Sequence, residues 1–198
     1  MQNIELNIKK FDKYFITPNY DYNFSNDYFN KIEKVLDHGV RLLQFRSKNL
    51  NGEQYTLISK KIYNICSKYN SFFFINDLKN FNNNQYCDGI HLTSANILYN
   101  NYNLIPETHH ISVSCHNKNE INICNELSIN FVLISPVLDT GNKIGLGWEK
   151  FKMLASLSKH PVFALGGMNY HRDIDYVKRN GGHGLAAISY FYHELFDA

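Results

Sequence analysis

Short apolar runs alternate along this chain with longer segments whose apolar residues recur at helical spacing. Tyr14 to Thr17 reads as a first strand, closed by Pro18. Tyr28 to His38 reads as a helix with Ile32, Val35 and Leu36 on one face and Gly39 as its stop signal. Leu42 to Arg46 is the next strand, and Asn51 starts a long helix through Lys68 with Ile58, Ile62 and Ile65 at helical spacing. Phe72 to Ile75 forms a third strand ending in Asn76-Asp77, and after a loop or brief helix Gly89 to Leu92 forms a short fourth.

The second half keeps the same rhythm. Ile111 to Ser114 reads as a strand ending near His116, followed by a helix from Lys118 to Leu127. Phe131 to Ile134 is a fully apolar strand that breaks at Ser135-Pro136, and a polar, Gly-rich loop from Asp139 to Gly147 leads into a helix from Trp148 to Ser158. Val162 to Leu165 is the next strand, closed by Gly166-Gly167. A helix from His171 to Arg179, a last strand from Gly184 to Ile188 and a terminal helix complete the pattern. Apolar strands alternating with helices imply a parallel sheet. Eight such units imply a (β/α)₈ TIM barrel as a single domain over residues 1–198, compact for the roughly 250 residues typical of that fold. The competing arrangement, an open doubly wound sheet, is weakened because no G-x-G-x-x-G follows the first strand.

A barrel of this kind carries its active site where strands end and βα loops begin. Polar residues gather at those points here: Gln44, Arg46 and Lys48 after the second strand, Asn76 and Asp77 after the third, Ser114 and His116 after the fifth. Thr140, Asn142 and Lys143 lie in the sixth loop, Gly166-Gly167 follow the seventh strand, and Ser189 follows the eighth. Side chains two apart on a strand point the same way, so an amide, a guanidinium and an ammonium emerge together from Gln44, Arg46 and Lys48. Glycines after the last two strands can turn backbone N–H groups toward a phosphate. The pattern predicts two anion sites facing one mouth. By residue type alone Asp77 favours a helix N-cap or Asx-turn over a metal ligand, and Gly166-Gly167 reads as a tight turn.

Composition narrows the partners. The formal net charge is +2 over 198 residues and no Lys/Arg cluster dominates a tail or face, so no nucleic acid is expected, and small phosphorylated molecules account better for the local positive charge. Met1 to Lys13 has no apolar core of signal-peptide length, and no window has the length of a transmembrane helix. A cytoplasmic protein without a membrane partner is expected; self-association into a homo-oligomer is left open. Cys66, Cys87, Cys115 and Cys124 lack C-x-x-C spacing and read as free structural thiols. His109-His110 and His91 lack an acidic or thiol companion at ligand spacing, which favours a structural role over zinc.

The ordered set Gly39-Val40, Gln44 to Lys48, Ile75-Asn76-Asp77, Asp88 to Leu92, Ser112 to His116, Ser135 to Lys143, Ala164 to Met168 and Gly184 to Ser189 resembles the thiamine phosphate synthase/TenI family over Tyr14 to Phe191. His91 to Ser94 and Leu146-Gly147-Trp148 are similar to the branch fused to Nudix hydrolases. The resemblance implies condensation of a pyrimidine pyrophosphate with a thiazole phosphate, giving thiamine phosphate and pyrophosphate, with Mg²⁺ as cofactor. It implies that Gln44, Phe45, Arg46, Ser47, Lys48, Asn76, Ser114 and Lys143 hold the pyrimidine pyrophosphate, and that Thr140, Asn142, Gly167, Ile188 and Ser189 receive the thiazole phosphate. Arg46, Lys48 and Lys143 would be the catalytic countercharges. Asp77 would bind the metal, and counting from Gly89 puts Asn96 where the family has its second metal-binding Asp. His116 matches a histidine linked to proton transfer in the TenI thiazole tautomerases, the alternative activity; a barrel that only binds a thiamine precursor is the third reading.

Overall fold

The computed structural model describes residues 6–81, 84–99, 102, 105–141 and 143–195. The eight apolar runs form parallel strands: β1 (Lys13–Ile16), β2 (Leu42–Phe45), β3 (Phe72–Asn76), β4 (Gly89–Leu92), β5 (His110–Cys115), β6 (Phe131–Ile134), β7 (Val162–Leu165) and β8 (Gly184–Ala187). They pair in chain order and close on themselves through Tyr14 opposite Ala186. The expected barrel is therefore present. The helices are α1 (Ser25–Asp37), α2 (Gly52–Lys68), α3 (Leu78–Phe81), α4 (Ser94–Leu98), α5 (Lys118–Cys124), α6 (Trp148–Leu157) and α7 (Tyr170–Arg179). Two expectations shift. The terminal helix is a π-helical turn, Tyr190–Glu194, and a short α4 follows the fourth strand, where the sequence reading had placed none. No helix of the described residues is long and apolar enough to cross a membrane.

Helix ends follow from local chemistry. Asn51 caps α2 with a capping box: its side chain accepts from Gln54 N–H while Gln54 returns a bond to Asn51 N–H. Asn117 and Asn169 cap α5 and α7 through side-chain oxygens.

Strand alternation divides the apolar residues into two sets. Phe15, Leu43, Phe45, Phe73, Ile75, Ile90, Val113, Val132, Ile134, Ala164 and Leu185 face out and pack against the helices. Tyr14, Ile16, Leu42, Phe72, Phe74, Phe131, Leu133, Phe163 and Ala186 face in and fill the barrel. The interior is plugged by packed aromatic rings: Tyr14 meets Phe74 edge-on at 5.7 Å and Phe131 edge-on at 5.3 Å, and Phe131 lies tilted 5.0 Å from Phe163. Gly89 makes room for that plug, because a Cβ there would stand 2.6 Å from the Phe74 ring and 2.5 Å from the His110 carbonyl oxygen.

The cost of filling that gap can be measured against an open glycine. Gly89→Ala is expected to lower the free energy of unfolding in urea by about 1–3 kcal/mol, as overpacking does. Gly52→Ala, at the start of α2 with nothing near its Cβ position, is expected to raise it by about 0.4–1 kcal/mol through the unfolded chain.

Candidate active site

The residues that continue the inward-facing rows beyond the aromatic plug are polar on one side of the barrel and apolar on the other. From β2 to β5 the row carries Gln44, Asn76, His91, Ser112 and Ser114, with Asn76 opposite His91 and His91 opposite Ser112 in register. Across from them stand Leu133, Leu165 and Ile188.

Gln44 is the least satisfied group in this wall. It is 1% exposed, and among the described residues neither its amide oxygen nor its amide nitrogen has a hydrogen-bond partner. An orphaned buried amide carries a desolvation cost of about 1–3 kcal/mol per lost partner, recovered when a ligand supplies a donor and an acceptor.

The loop after β2 is tied down by its own backbone. Arg46 N–H donates to Thr17 Oγ1 at 3.1 Å, Lys48 N–H donates to Asn19 Oδ1 at 3.0 Å, and Ser47 Oγ accepts from Tyr20 N–H at 2.9 Å. The Arg46 guanidinium and Lys48 ammonium are thereby left at the mouth on a fixed base, Lys48 in solvent. Two residues of this segment do not offer side chains to the mouth. Phe45 turns outward against Tyr55 at a ring distance of 4.5 Å, and Ser47 is 5% exposed with its hydroxyl spent on Tyr20 and Asn49. Tyr55 joins two strand ends, its hydroxyl donating to Phe45 O and accepting from Asn76 N–H.

Asp77 follows β3 in the left-handed region, φ 71°, where Asp is tolerated better than most residues. Its N–H donates to His91 O at 2.9 Å, and its carboxylate accepts from Asn96 Nδ2 at 3.4 Å. Asn96 is oriented by the cap of α4, because its Oδ1 accepts from Thr93 N–H at 3.0 Å and from Thr93 Oγ1–H at 2.9 Å. Turning the amide over would set NH₂ against that N–H. Asn96 therefore presents donors, not a lone pair, to Asp77. The ligand role that the resemblance gave Asn96 does not fit this geometry, whereas Asp77 keeps the carboxylate a hard cation needs. Among the described residues no group of three or more His, Cys, Asp or Glu side chains is placed to hold a metal.

On β5, Ser114 sits at the mouth 2.8 Å from His91 Nε2, and the same ring reaches Ser112 Oγ through Nδ1 at 2.8 Å. Burial, and secondarily the charge of Arg46, pushes the His91 imidazole down to about 3, so it is neutral in the folded protein. His116 lies just beyond: its Nδ1–H donates to Ser135 O at 2.7 Å, which leaves Nε2 as the lone pair of the neutral ring. Adjacent Cys115 points the other way, 3.5 Å from Cys124 Sγ in the outer core. All four cysteines are free and buried.

The second expected anion site is built from loops. Thr140 and Lys143 bond each other reciprocally at 2.9 and 3.0 Å, and Asp139 Oδ1 accepts from Gly145 N–H at 2.7 Å, closing the sixth loop into a tight turn. Thr140 and Lys143 are exposed; Asn142 lies outside the described residues. Gly167 has φ 68°, and a Cβ there would meet Asp139 O and Leu138 Cβ at 2.9 Å, so the seventh and sixth loops touch only because glycine separates them. A cleft of about 420 Å³ opens between these loops, bounded by Leu138, Asp139, Gly145, Gly167 and Arg172. Ile188 is half-buried and Ser189 exposed at the start of the π-helical turn.

His91, Ser112 and Tyr14 are not among the expected site residues, although they lie in the same inward-facing rows. Their signal was parity: each lies an even number of residues from another inward-facing position on its own strand.

The family model described as "Thiamine monophosphate synthase" matches residues 13–191. A thiamine-phosphate synthase of Prochlorococcus marinus is 31% identical over 92% of this chain and 51% of its own length, and one of Methanococcus vannielii is 29% identical over 80% of this chain and 78% of its own. The chain spans about half the length of the Prochlorococcus relatives. Among solved structures, "Thiamine phosphate pyrophosphorylase from Pyrococcus furiosus" superposes with a TM-score of 0.76 at 22% identity, covering 92% of this chain and 88% of that one, which supports the fold.

The state of His91 has a thermodynamic consequence. Its pKa is depressed on folding, so between about 3 and 6.5 the unfolded chain binds the extra proton and stability falls with pH. Lowering pH from 7 to 5 is expected to cost the wild type about 2 kcal/mol more unfolding free energy than His91→Gln, measured by urea titration of both at each pH.

Proposed function

Because its residues 13–191 match that family's model, the chain belongs to the thiamine monophosphate synthase family, and from this premise we propose that it makes thiamine phosphate. The substrates are 4-amino-2-methyl-5-pyrimidinylmethyl diphosphate and a thiazole phosphate; the products are thiamine phosphate and pyrophosphate. The observation that carries this reading is the orphaned Gln44 amide, which would take the donor and acceptor of an aminopyrimidine edge while Leu133, Leu165 and Ile188 cover the ring.

In the reaction the bond from the pyrimidine methylene to the pyrophosphate oxygen breaks with both electrons on oxygen, and the thiazole nitrogen lone pair closes the new C–N bond. Charge builds on the leaving group, so the chain's task is fixed countercharge rather than a base. Arg46 and Lys48 meet the pyrophosphate from the loop after β2, and Lys143 approaches from the sixth loop. Gly167, Thr140 and Ser189 offer the thiazole phosphate hydroxyls and backbone N–H groups in a separate anion site. Mg²⁺ held by Asp77 would neutralise part of the pyrophosphate charge. Asn96 adds an amide donor beside Asp77 rather than a carboxylate, so substrate phosphates would have to supply most of the remaining ligands. A thiazole tautomerase is the second reading, favoured by one observation: the His116 ring is fixed on Ser135 O with Nε2 left to take up a proton.

An end-point assay with both purified precursors, with and without Mg²⁺, separates these readings. Thiamine phosphate and pyrophosphate are expected in equal amounts, dependent on Mg²⁺ and lost in Asp77→Ala. Arg46→Ala is expected to lower kcat by about 10²–10³-fold, the usual effect of removing one fixed transition-state partner. Absence of product, with thiazole tautomerisation lost in His116→Ala, would support the second reading.

A further inference from the structure

His91 is 3% exposed, and both its nitrogens are at short hydrogen-bond distance from serine hydroxyls two residues apart on β5. Ser112 lies below and is fully buried; Ser114 lies above, half-exposed at the mouth. A neutral imidazole has one N–H and one lone pair, so only two proton arrangements are available. In the first, Ser112 donates to Nδ1 and Nε2–H donates to Ser114, whose own proton is then free for a ligand. In the second, Nδ1–H donates to Ser112 and Ser114 donates to Nε2, leaving the mouth only lone pairs.

The bottom of the chain decides between them. In the second arrangement the Ser112 proton needs another acceptor. The group facing it is the Tyr14 hydroxyl, itself fully buried and held protonated by that burial. Among the described residues the Tyr14 hydroxyl makes no hydrogen bond, so it takes no proton from Ser112. The Ser112 proton is then stranded in a dry interior. In the first arrangement that proton is held by Nδ1, and the free one lies on Ser114 at the open mouth.

We propose that His91 is a positioning residue whose proton order, set by Ser112 and Tyr14 beneath it, makes the Ser114 hydroxyl a hydrogen-bond donor and so selects ligands that present an acceptor, such as an unprotonated ring nitrogen, at that point. The identity of the ligand rests on the proposed synthase activity. The proton order does not.

Two measurements test it. Nitrogen-15 NMR of the ligand-free protein labelled at histidine, with the His91 signals assigned by their loss in His91→Gln, is expected to show a single neutral Nε2–H form at pH 7. An Nδ1–H form, an even mixture or an imidazolium would overturn the proposal. Calorimetry with 4-amino-2-methyl-5-pyrimidinylmethyl diphosphate then reads the link to Ser114. His91→Leu is expected to weaken binding about three- to tenfold in the wild-type background, as loss of one hydrogen-bonded orientation does. It should have less than about a twofold effect when Ser114 is already Ala, with His91→Gln, which keeps a donor, restoring most of the loss. Equal losses in both backgrounds would overturn the proposal. A wild type that binds no pyrimidine pyrophosphate would remove the substrate reading, and the NMR result alone would then decide the proton order.

Discussion

Closing eight short strands into a barrel leaves an interior that side chains must fill, and the aromatic plug of Tyr14, Phe74, Phe131 and Phe163 meets that constraint. The rest of the molecule depends on it. The rings occupy the lower barrel so fully that Gly89 must lack a side chain beside Phe74. They also give the polar residues above them a floor that cannot yield. A site on such a floor is held by packing rather than by loops.

That floor explains why the buried polar groups are tolerated. His91 and Ser112 satisfy each other, and the Tyr55 hydroxyl ties the end of β2 to the end of β3. The loop after β2 is braced by Thr17 and Asn19 from the end of β1. Gln44 differs in that both of its amide atoms lack partners among the described residues, on the wall that faces the open end. Unsatisfied amides in native interiors are rare enough to mark function, and here the group sits beside two cations and opposite an apolar wall.

Asn96 supports Asp77 as a neutral donor. A carboxylate there would repel Asp77 unless a cation lay between them. The amide, turned by the Thr93 cap, donates to Asp77 instead. The position thus contributes to the helix start and to holding Asp77 in place.

The order and type of the elements were legible in the sequence because eight apolar runs and the amphipathic segments between them have different periods, and the periods survive any packing. So were the strand-end positions Gln44, Arg46, Asp77, Ser114 and His116, since strand polarity in a parallel barrel places every C-terminal end on one face. Short helices were less legible: α4 has too few turns to show a period and exists because Thr93 and Asn96 cap it. Which partner each side chain meets needed the tertiary structure. Phe45 and Ser47 lie within the predicted binding segment, yet strand parity turns Phe45 into the helix layer and Tyr20 claims the Ser47 hydroxyl. The bonds of His91 to Ser112 and Ser114 cross between strands, with 21 and 23 residues of chain between the partners. A linear pattern specifies which residues face inward; only barrel closure, with its register and stagger, decides which of them meet.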